Sequence, residues 1–218
     1  MPVYVRYIDL NGCKNSYCIP EKPNGYALFM LLDYQTFHSD HAEYFIETFV
    51  KKGYIVFSSG LLIAEWGSKT AVKHAEHLIQ LLLRQEIINE KIFLCAEGTG
   101  ALIAQQLCCS EDIHIRAAAF INPLLSLQDC LIHYQEDEVT LKRFKKEMSR
   151  QHGLSHCDRE SVANVDEKLF TDYHLPVQSF LRHVKKDNVE ELVKVNPLET
   201  RLLANEVSDF FEKFIPAT

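Results

Sequence analysis

The chain has 218 residues, of which 47% are hydrophobic, and a formal net charge of −7. This composition predicts one α/β domain over residues 1–218, and the acidic balance argues against nucleic acid or an anionic membrane as the main partner, because both favour clustered lysine and arginine. The N-terminus lacks the features of a signal peptide, and no apolar run approaches the roughly 18 residues of a membrane helix, so we predict a cytoplasmic protein.

The first part of the chain alternates between strand and helix patterns. The predicted elements are an edge strand over 3–10, its hairpin partner over 16–19, a strand over 26–32, a helix from Asp40 to Gly53, a strand over 54–57 and a long helix capped by Ser68. Residues 26–32 are apolar on both faces, which favours a central strand of a largely parallel sheet. This order predicts a doubly wound α/β fold.

The next segment is the most informative one in the chain. An apolar strand over 92–95 turns into a helix that begins near Ala101, and the turn between them reads Ala96-Glu97-Gly98-Thr99-Gly100. Small residues at Ala96 and Gly100 flank the turn in the same way as those of a nucleophile elbow, where the strained backbone leaves no room for larger side chains. The central position, at which an attacking hydroxyl would stand, is Gly98.

The remaining elements continue the alternation. A strand over 113–121 ends at Asn122, and irregular, highly charged sequence over about 124–173 predicts a helical cap inserted into the domain. A further strand is predicted over 176–181, and a short last strand is predicted near 193–195. The final helix begins at Asn196-Pro197, and we expect it to bury four apolar residues or their close neighbours: Leu198, Leu202, Phe210 and Phe214.

The cysteines and histidines do not predict a metal or a cofactor. Seven cysteines occur without a CxxC pair, and we interpret Cys95, Cys108 and Cys109 as small buried hydrophobes that stay reduced. His152 and His156 lie four residues apart, but no glutamate completes an HExxH motif. We expect His74, on the long helix, to face solvent or a neighbour.

The order of elements and the AEGTG turn resemble the α/β-hydrolase superfamily over nearly the whole chain. The resemblance implies a doubly wound, mostly parallel sheet with a small helical cap, and it places Gly98 at the nucleophile position. The N-myc downstream-regulated proteins, a branch of this superfamily regarded as non-catalytic, look similar at this turn, with glycine in the same place.

Two further departures from the superfamily pattern concern the rest of the catalytic machinery. Asp33-Tyr34 stands where the family usually carries a His-Gly pair that shapes the oxyanion hole, and the resemblance makes Asp187 a remnant acid. No histidine follows His183, although the family's catalytic base should lie beyond the acid. The triad acts as a unit, and loss of the nucleophile alone costs about 10⁶-fold in the best-studied case, so we predict an inactive protein that works by binding.

Besides a structural subunit whose sheet face or cap packs on a partner, the sequence leaves two functions open. The first is recognition of a small molecule or protein partner, with self-association left open, at the former catalytic cleft or on the cap surface. The residues expected to line the cleft are Asp33, Tyr34, Glu97, Gly98, Thr99 and Asn122. We expect Thr99 to pack against or cap the helix that follows it, and Glu97 to bond a ligand or a neighbouring loop. The alternative is a rearranged esterase or thioesterase, with Cys95 or Thr99 as nucleophile and His38 or His183 as base.

Overall fold

A computed structural model describes residues 4–10, 13–32, 40–59, 66–170, 174–182 and 197–216. The strands are β1 (Tyr4–Leu10), β2 (Cys13–Ile19), β3 (Ala27–Leu31), β4 (Ile55–Ser59), β5 (Ile92–Glu97), β6 (Ile115–Ile121) and β7 (Val177–Phe180). The helices are α1 (Asp40–Lys51), α2 (Lys69–Gln85), α3 (Gly100–Cys108), α4 (Leu127–His133), α5 (Glu138–His152), α6 (Arg159–Leu169) and α7 (Pro197–Glu212).

The seven strands form one sheet in the order β1-β2-β4-β3-β5-β6-β7. The pairs β1–β2 and β2–β4 are antiparallel, and the four remaining pairs are parallel. The prediction of a doubly wound, mostly parallel sheet that opens with an antiparallel hairpin is confirmed. Because the central strands run parallel, their carboxyl ends meet at one edge of the sheet, where ligands of open α/β sheets collect.

Helices cover both faces of this sheet, and the alternation of side chains along each strand explains the two cores. On β3, Phe29 and Leu31 join the core formed with α2 and α3, whereas Leu28 and Met30 join the core formed with α1 and α7. All five residues of β3 are buried. A strand buried on both faces has to be apolar at every position, which is the pattern that its sequence shows.

The buried face of the last helix matches the predicted one only toward its C-terminal end. Phe210 is buried and Phe214 packs, partly buried, against the same core, as predicted. Leu198 and Leu202 are instead 67% and 55% exposed, and the other buried apolar residues of α7 are Leu203, Val207 and Phe211. Apolar residues occupy neighbouring stripes of this helix, and a shift of one residue turns the buried face by about 100°. Packing against α1 and the sheet selects the second stripe, which helical periodicity alone did not distinguish from the first.

The cysteines of the α3 region also divide differently from the prediction. Cys95 is fully buried on β5, Cys108 is partly buried, and Cys109 is exposed. The helix ends at Cys108, and Cys109 lies at its C-terminal cap, where the chain turns away from the core. Cys18, Cys95, Cys108, Cys130 and Cys157 are in no disulfide.

The segment for which a helical cap is predicted contains α4, α5 and α6. These three helices share an apolar cluster with Trp66 and Leu102, and its buried cap members are Leu127, Cys130, Phe144, Met148, Val162 and Val165. Asp166 connects two of the helices: its carboxylate accepts hydrogen bonds from Leu127 N at 2.7 Å and from Gln128 N at 3.1 Å. An acid on α6 therefore binds the N-terminus of α4, which favours negative charge.

Asp166 should make the stability of the protein depend on pH in an unusual direction. Burial raises the pKa of this carboxyl above its ordinary value of 3.8. Protonation of Asp166 thus favours the folded state, and its contribution to stability is present below pH 3.8 and is lost as pH rises through the raised value. In urea unfolding at a series of pH values, we expect the wild type to lose stability relative to Asp166→Asn as pH rises from below 3.8.

Asp158 provides a control with the opposite sign. This exposed residue caps α6, and a hydrogen bond from Ser161 N, at 2.8 Å, lowers the pKa of its carboxyl. Its contribution to stability is present above pH 3.8 and is lost as pH falls through the lowered value, so the wild type should gain stability relative to Asp158→Asn as pH rises. Parallel pH profiles for the two variants would contradict the assignment of Asp166.

Candidate functional site

The turn between β5 and α3 lies at the carboxyl edge of the sheet, with Gly98 at its apex. Gly98 has a φ angle of +54°, in the left-handed region that side chains other than glycine rarely adopt. Its N–H donates to Ile121 O at 3.1 Å, and its carbonyl accepts from Leu124 N at 3.0 Å. These bonds tie the apex to the end of β6, and they confirm the predicted strand–turn–helix bend around residue 98.

The residues on either side of the apex are small because the backbone approaches them closely. Ala96 is fully buried on β5. A Cβ atom on Gly100 would lie 1.9 Å from the carbonyl oxygen of Leu31 on the neighbouring strand β3, a distance that no real contact allows. The α3 N-terminus therefore sits directly on the sheet, as the small residues of the turn predicted.

Glu97, the last residue of β5, forms an ion pair with Arg182 just beyond the end of β7. The Glu97 side chain is 1% exposed and the Arg182 side chain is 19% exposed. A buried carboxylate needs such a partner, because its desolvation would otherwise cost several kcal/mol. Of the two expected partners of Glu97, a ligand or a neighbouring loop, the structure shows the loop: Arg182 belongs to the segment that follows β7.

Asn122 holds Arg182 in place through the backbone. Its Nδ2 donates to Arg182 O at 3.0 Å, and its Oδ1 accepts from Arg182 N at 2.9 Å. Asn122 has a φ of +41°, and asparagine tolerates this conformation better than most residues. Glu97, Asn122 and Arg182, which we call the elbow cluster, thus join the carboxyl ends of β5, β6 and β7 beside Gly98.

Arg182 was missed by the sequence analysis. Glu97 and Asn122 were found because each follows an apolar strand whose carboxyl end faces the expected cleft. Arg182 carries the same signal, since it stands two residues after the end of β7. Pairing a buried acid with a base at the end of a neighbouring parallel strand would have identified it.

Two side chains next to the apex are poorly placed to replace the missing hydroxyl. Thr99 is 6% exposed and occupies the N-cap position of α3, but its side chain makes no capping hydrogen bond. The prediction that it packs is therefore confirmed, and the alternative that it caps is wrong, because Thr99 has helical backbone angles instead of the extended ones of a capping residue. Cys95 is fully buried, and burial followed by the charge of Glu97 raises the pKa of its thiol far above the ordinary value.

A second polar contact lies at the carboxyl end of β4. Ser59 Oγ is 3.5 Å from His74 Nε2 on α2, and the two residues are 3% and 4% exposed. His74 therefore faces a neighbour and not solvent. The helical spacing of apolar residues did not identify His74 as buried, because it is a polar residue that lies between two apolar residues of the buried face of α2.

Several predicted site residues lie outside the described residues. These are the ligand-lining Asp33 and Tyr34, the remnant acid Asp187, and the alternative bases His38 and His183; they remain predictions. The last strand predicted near 193–195 has the same status.

Metal ligands and membrane-spanning helices are the two remaining features that concern the described residues. Within the described ranges, no three histidine, cysteine or acidic side chains are grouped so that they could hold a metal ion. The helices in this part of the chain are all too short or too polar to cross a lipid bilayer.

Comparison with known proteins finds structural likeness without sequence likeness. No protein-family model matches the chain, and no curated protein matches it by sequence. Esterase B from Lactobacillus rhamnosis superposes with a TM-score of 0.64 at 12% identity, over 97% of this chain and 87% of that one. An esterase from Pyrococcus furiosus gives a TM-score of 0.59 at 12% identity, over 99% and 92% of the two chains.

A third match covers a smaller share of both chains. An epoxide hydrolase from Vigna radiata matches with a TM-score of 0.41 and 17% identity, over 55% of this chain and 40% of that one. The chain thus spans less than half the length of that enzyme. At identities this low, the comparisons establish a shared architecture and leave the chemistry to the residues of the site.

Proposed function

We propose that this chain, which has the α/β-hydrolase fold, is a binding protein that no longer hydrolyses esters and that recognises a small molecule or a protein segment at the cleft beside Gly98. One observation carries the proposal: the apex of the elbow is occupied by a glycine with a φ of +54°, which has no side-chain atom to attack a carbonyl.

The neighbouring groups support the same conclusion. A nucleophile needs an exposed, activated oxygen or sulfur within hydrogen-bond reach of a base. The thiol of Cys95 is buried and its pKa is raised, so it carries almost no thiolate near neutral pH. Thr99 is buried as well, with 6% of its surface exposed.

The elbow cluster suggests how the cleft recognises a ligand. The guanidinium of Arg182 compensates the charge of Glu97, which would otherwise repel an anionic or electron-rich ligand group. The Arg182 side chain remains 19% exposed, so part of it can donate to a ligand acceptor. Asn122 fixes the backbone from which Arg182 projects, and binding needs no large rearrangement of this residue.

Turnover measurements test the proposal. Purified protein is incubated with p-nitrophenyl butyrate and with a butyryl thioester, beside heat-denatured protein and an active esterase. We expect the rates of the wild type and of Gly98→Ser to equal those of the denatured sample, because no histidine follows His183 in the sequence, where the superfamily's catalytic base is expected. Substrate turnover by the wild type above the denatured control would contradict the proposal.

The runner-up function is a rearranged hydrolase, and one contact favours it. Ser59 and His74 form a serine–imidazole pair at the same edge of the sheet as Gly98, although both residues are buried and their 3.5 Å separation is at the long limit for a hydrogen bond. Labelling with a fluorophosphonate distinguishes the two functions. Stoichiometric labelling that disappears in Ser59→Ala and persists in the matched variant Ser110→Ala would favour the hydrolase; absence of labelling would favour binding.

A further inference from the structure

A groove with a volume of about 310 Å³ opens at the amino-terminal edge of the sheet, at the end opposite Gly98. It lies where β5, β6 and β7 begin and where α7 ends. The residues that line it are Lys91, Ile115, Arg116, His174, Leu175, Pro176 and Phe214. This volume lies at the lower end of the range of pockets that hold small organic ligands.

The polar half of this groove is basic. Lys91 and Arg116 are cations, His174 adds an imidazole, and no lining residue is acidic. The chain as a whole has a net charge of −7, so the groove has the opposite sign of charge to the protein overall. Basic groups gathered in a concave site attract an anion more strongly than the same groups spread over a convex surface.

Arg116 is fixed in position by neutral partners. Its Nη1 donates to Phe214 O at 3.0 Å and its Nη2 donates to Asn89 Oδ1 at 2.8 Å, while the guanidinium carbon lies 5.3 Å from the centre of the Tyr26 ring. Among the described residues, no carboxylate pairs with it, and its Nε is buried without an acceptor. Within the described part of the chain, the guanidinium is therefore held rigidly while no carboxylate compensates its positive charge.

The other half of the groove is apolar. Ile115 and Leu175 pack against the core on the α2 and α3 side of the sheet, and Phe214 packs against the core on the α1 and α7 side. The groove therefore opens where the two layers meet at the sheet edge. Pro176 is also fixed, because its carbonyl accepts from Ala118 N at 3.0 Å at the start of the β6–β7 pairing.

We infer that this groove binds a small organic carboxylate with an apolar body. The carboxylate fits the basic half, where Lys91 and Arg116 supply charge that no carboxylate among the described residues neutralises. The apolar body covers the side chains of Ile115, Leu175 and Phe214. A hydrophilic anion would leave this wall uncovered, and a neutral apolar molecule would leave the basic groups without a partner.

Chemical-shift titration of the ¹⁵N-labelled full chain tests this inference. The probe is hexanoate, compared with hexanol as its neutral analogue and with inorganic phosphate as a hydrophilic anion. We expect saturable shifts at Lys91, Arg116 and Leu175 with hexanoate, and at least tenfold weaker binding of the other two. Lys91→Gln should weaken hexanoate binding at least fivefold, whereas Lys142→Gln, on the exposed face of α5, should leave it unchanged.

Three results would overturn the inference. The first is the absence of saturable shifts with hexanoate. The second is equal binding of hexanol or of phosphate, which would show that the basic half or the apolar half plays no part. The third is unaltered hexanoate affinity in both Lys91→Gln and Arg116→Gln, once their thermal unfolding shows that they fold. None of these results bears on the binding site proposed beside Gly98, at the opposite edge of the sheet.

Discussion

Gly100→Ala is expected to destabilise the protein by about 3 kcal/mol, or to prevent folding, because the added methyl would lie 1.9 Å from the carbonyl oxygen of Leu31. The opposing atom belongs to the backbone of a fully buried central strand, so it cannot move aside as a flexible side chain would. Alanine's better helix propensity, about 1 kcal/mol, does not offset this clash. The measurement is the free energy of unfolding in guanidinium chloride, followed by far-ultraviolet circular dichroism.

Gly153→Ala is the matched control for this substitution. Gly153 has a φ of +65° at the end of α5, and a Cβ atom there would meet nothing within 4 Å. Only the left-handed backbone opposes the new side chain, and we expect a loss of about 1 kcal/mol. An equal or smaller loss of unfolding free energy in Gly100→Ala than in Gly153→Ala would contradict the close contact between α3 and the sheet. It would also contradict the geometry of the elbow.

Glu97→Gln is expected to lower the free energy of unfolding by about 3 kcal/mol, because it leaves the charge of Arg182 without its partner in a largely buried site. The partial exposure of Arg182 places the estimate at the lower end of the range for buried pairs. Chemical denaturation of the single variants, Glu97→Gln and Arg182→Met, and of the double variant gives the coupling energy. We expect the double variant to lose less stability than the sum of the two single losses.

Glu147→Gln provides the surface comparison. Glu147 pairs with Arg150 one turn further along α5, and the Arg150 side chain is 70% exposed. Water screens this pair, so we expect a loss below about 1 kcal/mol. Equal effects of the two glutamine substitutions, or additive losses in the double variant, would show that Glu97 and Arg182 do not act as a unit.

The elbow could be identified from the sequence because the residues of one short segment determine its backbone. A run of apolar residues that ends in AEGTG restricts which backbone can follow, since only small residues fit where a helix starts directly on a sheet. The two glycines, Gly98 and Gly100, therefore indicated from the sequence alone that a sharp turn and a close helix–sheet contact occur here. Ser68 did so too: its Oγ accepts from Ala71 N at 3.1 Å, as expected for the cap of α2.

The partners of the site residues could not be found in this way. Arg182 follows Glu97 by 85 residues, and nothing in the sequence around either one specifies their contact. The Ser59–His74 pair depends on how α2 lies over the end of β4. The buried face of α7 likewise depends on the packing of its two apolar stripes against α1.

By itself, the sequence determined the order of the elements, the doubly wound sheet and the glycine at the apex of the elbow, because each follows from backbone sterics and from periodicity within a short segment. Only the tertiary structure decided which charges meet. It joined Glu97 to Arg182 at one edge of the sheet, and at the other edge it gave Arg116 no counter-ion from the residues that the structure describes. The physical reason is that the ends of parallel strands become neighbours through crossovers of many residues, so the contacts between them are set by the packing of layers and not by local sequence.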